Sequence, residues 1–261
     1  MGQFLTFAMV APMASFGALA VGERRDGWDR PARSAVLGLV GACLGVLRTD
    51  ESAQSALATE YGLAVLCQAS GRLLTDYHTA QTVPSRRNWR PATRAQELTD
   101  MPDDLATILS RRDYRIGSWH LGAMWVRGEA ARWSLDALHD AMNAPVFTPS
   151  LGRKACPPGL PLAPALVKGE SGVSVLLDRQ KNGPEARLRG HYGSFREELT
   201  ACRKENRETL VVLDASDVAE HGAGHRVLRR ETRRDQPISR ARWQFGLREE
   251  ALLLCGTEMR A

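Results

Sequence analysis

Between His78 and about Ile116 the chain loses any apolar face for nearly 40 residues, and this gap limits the folds open to it more than any other feature. A polar stretch of that length inside a compact chain is an inserted arm or a mobile loop, so the flanking segments must build the core without it. Arginines cluster at both of its ends, Arg86, Arg87, Arg90 and Arg94 on one side and Arg111, Arg112 and Arg115 on the other, while Glu97, Asp100, Asp103 and Asp104 occupy the middle.

The flanks carry regular patterns. Phe4 to Val10 reads as a buried central strand that Ala11-Pro12-Met13 ends. Ser34 reads as the N-cap of a helix over Ala35 to Leu47, apolar almost all round. Gly38, Gly41 and Gly45 leave one stripe of that helix bare, able to lie very close to a neighbouring sheet or chain. Two strand-like runs, 61 to 68 and 71 to 77, flank Ala69-Ser70, a hairpin-length turn. After the gap come an alternating strand from Ser118 to Val126 and a helix from about Ala131 to Met142. Strand, helix, two strands, insertion, strand, helix is close to the β-α-β-β-α-β order of an α+β, ferredoxin-like or RRM-like domain. The open face of such a sheet is a common platform for single-stranded RNA. Beyond Leu160 the chain shows strand candidates at Val173 to Leu177 and Leu210 to Leu213, and a charged helix-like stretch at Ser194 to Arg207.

Charge points to an anionic partner. Of the 35 basic residues 31 are arginine, against 30 acids, for a net charge of +5. Planar guanidinium forks suit phosphate and base recognition. Residues 221 to 250 alone hold eight arginines and four acids, which predicts a basic face in the C-terminal third. Gly152, Arg153 and Lys154 sit in a proline-rich segment that cannot be helical, where a glycine lets backbone approach a ligand and two cations stand beside it.

Enzymatic signals are thin. The phosphate-loop, zinc-protease, nucleophile-elbow and dinucleotide fingerprints are absent, and no catalytic residue, metal ligand or cofactor is assigned. His221 and His225 have the four-residue spacing of a helical metal pair, but Gly222 and Gly224 favour a polar loop. His78 and His120 have the chemistry for acid-base cleavage of RNA. The five scattered cysteines suit reduced thiols. Residues 4 to 21 hold no Lys or Arg before them and Pro12 within them, so a cytoplasmic chain without a membrane span is expected.

Read in order, several segments resemble one family: Ala11-Pro12-Met13, Arg25, Pro31-Ala32-Arg33-Ser34 leading into the glycine-spaced helix, Asp76-Tyr77-His78-Thr79, Phe147-Thr148-Pro149, and Leu151-Gly152-Arg153-Lys154-Ala155-Cys156-Pro157. Together they resemble the Cas-five (CasD) subunits of type I-E CRISPR Cascade. The resemblance spans roughly residues 4 to 157, with a weaker echo at Arg234 to Ile238 and Arg242 to Glu249. It implies a ferredoxin-like (RAMP) palm at 1–77 and 117–160, an inserted thumb at 78–116, and a smaller β-rich C-terminal region at 161–261. It also implies a non-catalytic subunit that binds the 5′ handle of the crRNA, contacts the Cas-seven backbone subunit (CasC), helps seat the large subunit (CasA), and meets target DNA through the complex. The candidate RNA contacts are Arg25, Arg33, Ser34, Tyr77, His78, Arg86, Arg87, Trp89, Arg112, Gly152, Arg153 and Lys154. The C-terminal arginines are either part of a small sheet domain touching CasA or DNA, or a solvated basic face. The alternative is a metal-independent endoribonuclease like type I-C relatives, for which His120 is the histidine on a palm strand.

Overall fold

The computed structural model describes residues 1–256 except 19, 21, 85–88, 100–104, 186–207 and 223. The helix-like stretch expected at Ser194 to Arg207 therefore lies outside the described residues, as do Arg86 and Arg87. In chain order the strands are β1 (Gly2–Ala14), β2 (Phe16–Gly17), β3 (Arg24–Arg25), β4 (Gly27–Trp28), β5 (Tyr61–Ala69), β6 (Arg72–Thr82), β7 (Ala106–Val126), β8 (Ala165–Gly169), β9 (Glu208–Asp214), β10 (Arg226–Ser239) and β11 (Gln244–Gly256). The main helices are α1 (Arg33–Leu44), α2 (Glu51–Thr59), α3 (Arg94–Thr99), α4 (Leu135–Asn143) and α5 (Gly172–Asn182).

Nine of these strands form one mostly antiparallel sheet, in the order β10-β11-β9-β5-β7-β1-β8, with β3 and β6 attached along β7. β1 is apolar on both faces because the sheet is covered on both. Leu5, Phe7, Met9 and Ala11 enter one core with α1, α2 and α4, whereas Phe4, Ala8 and Val10 enter a second core with α5. Each fully buried large side chain contributes about 1.5–3 kcal/mol. Pro12 does not end β1: the strand runs on to Ala14, with Ala11 and Met13 paired to Ser118 and Ile116. β8 reaches only as far as Thr6 on the other side of β1, so Pro12 lies where β8 asks for no ladder bond.

Several expectations are corrected. α1 begins at Arg33 with Ala32 as N-cap, and Ser34 is no cap. The Val173 to Leu177 run is helical, within α5. Ser171 and Ser174 close a capping box there, and Gly172, Val173, Leu176 and Arg179 bury one helical face. Because α5 packs on β1, β5 and β7, the sheet face opposite α1 and α4 is buried core and offers no open platform for RNA. For the same reason Ser118 to Trp125 is buried throughout, not alternately. The C-terminal strands build no separate sheet, since β9 pairs with β5 and extends the sheet outward through β11 and β10.

The segment around Ala69-Ser70 is not a hairpin. β5 and β6 run in the same direction along one edge of β7, β5 opposite Trp119 to Val126 and β6 opposite Ala106 to Ile116. The break between them falls at Gly71, whose φ of +73° is left-handed and whose absent Cβ would stand 2.5 Å from the Ile116 carbonyl oxygen. From there β6 and the first half of β7 leave the body of the sheet as a two-stranded arm whose β6 residues are mostly exposed. Residues 78–82 and 106–116 of the polar gap thus belong to an antiparallel ladder that starts at Arg72. It lacks an apolar face because no layer packs on it. Near its outer end α3 is tied back to β6, with Glu97 accepting from the Thr82 hydroxyl at 2.7 Å. Among the described residues no helix is long and apolar enough to cross a membrane.

Candidate nucleic-acid interface

At the root of the arm three chain segments converge. β3 pairs in parallel with β7, which sets Arg24 beside Arg111 and Arg25 beside Arg112. Like charges placed directly side by side repel, so this pairing asks for an anion. Arg24 has one, the Asp26 carboxylate. Among the described residues Arg25 reaches only the carbonyls of Gly22 and Arg24. Asp76 lies opposite Arg112 on β6, but its carboxylate meets His78 Nε2 at 2.6 Å.

The third segment is the loop from Leu151 to Cys156, closed by Leu151 N–H to the Cys156 carbonyl (2.8 Å) and Cys156 N–H to the Arg153 carbonyl (2.9 Å). The Arg153 guanidinium lies 4.7 Å over the Tyr114 ring and donates to the carbonyls of Asp113 (3.4 Å) and Arg25 (3.3 Å). Lys154 projects into solvent. Among the described residues no carboxylate pairs with Arg25, Arg112, Arg153 or Lys154. Beside them a cavity of about 630 Å³ is lined by Arg25, His78, Ser110 and Arg112 together with Gly22 and Glu23. Geometry therefore gathers Arg25, Arg112 and Arg153 into one cationic region that His78 adjoins, with Lys154 exposed next to Arg153 in the chain. Tyr77 is on the other face of the arm, 54% exposed, with the Arg111 guanidinium 5.9 Å from its ring. Trp89 is half-buried in the segment beyond β6.

Two readings fail here. Gly152 has a φ of +93°, and a Cβ there would sit 1.7 Å from the Ser15 carbonyl oxygen, so the close approach it permits is to β1's own end and not to a ligand. Arg33 and Ser34 do not form an anion site. Arg33 is 2% exposed and donates to the carbonyls of Ala58 (3.1 Å) and Tyr61 (2.6 Å), with Asp214 at 3.2 Å. Its backbone N–H donates to Asp235 at 2.9 Å, and the N–H groups of Ala35 and Val36 turn back to the Ala32 carbonyl. The helix N-terminus that looked ready for a phosphate is occupied by the chain's own carboxylate.

Asp235 belongs to a buried ionic cluster at the far end of the sheet. Arg248 donates to Asp235 (2.9 and 2.8 Å), Asp214 (2.7 Å) and Glu250 (2.9 Å), and Arg30 donates to Glu250 at 2.7 Å. Burial pushes the carboxyl groups of Asp214 and Asp235 up, but the surrounding guanidinium groups outweigh it and hold both below the usual range. Burial likewise drives Arg33 down, with Asp214 opposing. The glycines of the α1 stripe meet three different neighbourhoods. Gly41 packs on Leu57 of α2, Gly38 lies near Arg240, and Gly45 is the left-handed C-cap.

His120 is fully buried, its ring edge-on to Phe16 at 5.6 Å, and burial lowers it to about 3. It is closed off from any substrate. His221 packs against Trp125, with ring centroids 4.0 Å apart. Among the described residues no cluster of metal-ligating side chains occurs. Sequence reasoning left out the Arg24–Arg111 pair and Asp113. The signal available was the cationic density at both 24–25 and 111–112, which becomes a site only once β3 and β7 are adjacent.

Comparison with known proteins gives a family match over most of the chain, a similar relative and similar folds. Residues 4–249 match the family model described as CRISPR-associated protein (Cas_Cas5). The chain is 29% identical over 237 residues to the CRISPR system Cascade subunit CasD of Escherichia coli (strain K12), covering 84% of this chain and 100% of that one. A solved structure titled "CRISPR RNA-guided surveillance complex" shares the fold with a TM-score of 0.59 at 21% identity, covering 97% of this chain and 90% of the other. Another, "Crystal structure of Cas protein", matches at 0.52 and 20% identity over 96% of this chain and 95% of the other. A match running almost from end to end of the described sheet makes the chain a member of the CRISPR-associated Cas5 family.

Proposed function

We propose that this chain is a non-catalytic, guide-binding subunit of a Cascade-type CRISPR surveillance complex, and that the root of the arm holds the 5′ handle of the crRNA. The observation that carries the reading is the uncompensated cation group of Arg25, Arg112, Arg153 and Lys154 beside a cavity that His78 also lines. Such a group neutralises phosphates without needing their bases. Arg153 holds β3 and β7 in register, so the cations are set before RNA arrives. Tyr77 with Arg111 supplies a stacking surface on the arm's other face. The likeness to a Cascade subunit supports assembly into a multisubunit complex; the proposal extends to a backbone subunit (CasC) and the large subunit (CasA) as neighbours, with contact to target DNA through that complex, in cytoplasmic antiviral defence. The strand and helix order β1-α1-β5-β7-α4-β8 supports a ferredoxin-like palm, with the arm as its thumb.

Burial of His120 speaks against the endoribonuclease reading, since its ring cannot reach a ribose hydroxyl. The test is guide retention by the assembled complex. Replacing Arg112 and Lys154 together with Ala lowers retention roughly tenfold, about equally for all handle sequences, and reduces the salt slope by roughly 1.4. An unchanged slope defeats the assignment. Incubating the chain with repeat RNA in EDTA leaves that RNA intact, and specific cleavage would defeat the non-catalytic reading.

A further inference from the structure

At the opposite end of the sheet from the arm, the turn between β10 and β11 presents an exposed tryptophan. Trp243 is 57% exposed and has a φ of +53°, a left-handed conformation unusual for a bulky side chain. The turn is fastened to the N-terminal end of α2, where Glu51 accepts from the Ser239 hydroxyl (2.8 Å) and the Ala241 N–H (3.1 Å). Two guanidinium groups lie on the indole, Arg48 at 4.8 Å and Arg240 at 5.1 Å from its centroid, and Arg48 donates to the Ala241 carbonyl at 3.0 Å. Among the described residues neither meets a carboxylate. Burial, followed by the charge of Arg48, pushes Arg240 below its ordinary value. Two cations are thus held close together beside an exposed ring with no anion between them.

We propose that this turn is a second nucleic-acid contact, in which a base of unpaired DNA stacks on Trp243 and its phosphate lies between Arg48 and Arg240. Planar stacking beside paired cations is the chemistry of single-strand binding. The choice of DNA rests on the proposed function, which places RNA at the arm. β11 runs from Gln244 to Leu254, which pairs through Leu210 and Cys67 to the level of His120. The turn is therefore roughly 30 Å or more from the palm end that bears the arm. In a complex where guide RNA pairs with one DNA strand, the strand left over is DNA.

The test uses the purified full chain and a 5-iodouridine-bearing single-stranded DNA of about 15 nucleotides, with RNA of the same sequence in parallel. Photocrosslinking to DNA maps to Trp243, and Trp243→Ala lowers DNA affinity roughly tenfold. Arg48→Gln with Arg240→Gln reduces the salt slope by roughly 1.4. The arm-root change of Arg112 and Lys154 to Ala leaves the Trp243 crosslink in place, so the two sites fail separately. A crosslink confined to the arm, equal DNA affinity in Trp243→Ala, or preferential capture of RNA at the turn overturns the proposal. Unchanged melting of the Trp243→Ala chain confirms that the comparison is made on folded protein.

Discussion

His120 shows how a residue chosen for its chemistry can serve packing instead. Its ring is sealed beside Phe16, and burial, aided by Arg30 and opposed by Asp29, keeps it neutral down to a pH of about 3. The unfolded chain takes up that proton near pH 6.5. Stability contributed by the neutral ring is therefore complete above about 6.5 and declines as pH falls toward 3, by about 1.4 kcal/mol per unit. By pH 5 the loss is roughly 2 kcal/mol. Melting temperature measured from pH 7 to 5 should fall more steeply for the natural chain than for His120→Leu, and parallel curves would contradict the buried-neutral assignment. Arg33 teaches the complementary lesson. A lone arginine at a helix start has the look of a phosphate ligand, but partners some 200 positions away in sequence had already claimed it, as with Asp235.

Among elements, the loop from Leu151 to Cys156 decides whether the arm root is assembled. Its hold on β1 is the Ser15 N–H to Leu151 carbonyl bond of 3.0 Å and the bare approach of Gly152 to the Ser15 carbonyl. Alanine at 152 would need both a disfavoured backbone and a Cβ inside a carbonyl oxygen, so the loop must move away. Gly152→Ala should cost roughly 2–4 kcal/mol in a denaturant melt. It should also weaken guide binding, because Arg153 leaves Tyr114 and the β3 carbonyl. Normal stability with Ala at 152 would show that the loop sits elsewhere. The arm itself was legible as a polar insertion but not as a ladder. The strand-like run at 71 to 77 marked the start of β6, but neither face of the strand is packed, so its continuation to Thr82 and its partner are revealed only by pairing with β7.

At the scale of the molecule, the C-terminal third is a structural part of the main sheet. β9 covers the edge of β5, Val212 and Leu252 fill one core, Val211, Leu213 and Leu253 fill the other, Asp214 pairs with the Arg33 guanidinium, and Asp235 accepts from the Arg33 backbone N–H. A chain ending at residue 207 would expose that edge and leave a buried arginine unpaired, a loss that for a single pair is about 3–5 kcal/mol. Such a fragment should aggregate or melt without cooperativity in circular dichroism and size-exclusion measurements. A cooperative, monomeric fragment would sink this view of the sheet.

Residue order alone determined the central strand at Phe4 to Val10, the helix that follows it, the insertion, the Gly-Arg-Lys loop and the family, because each is written in contiguous spacing or composition. Tertiary structure alone decided which arginines face outward. Charge is read locally, but neutralisation depends on carboxylates brought together from positions up to 220 residues apart, as in Arg30 with Glu250. Among the described residues the cations at the arm root and at the Trp243 turn have no such partner, which is why phosphate is proposed to bind there.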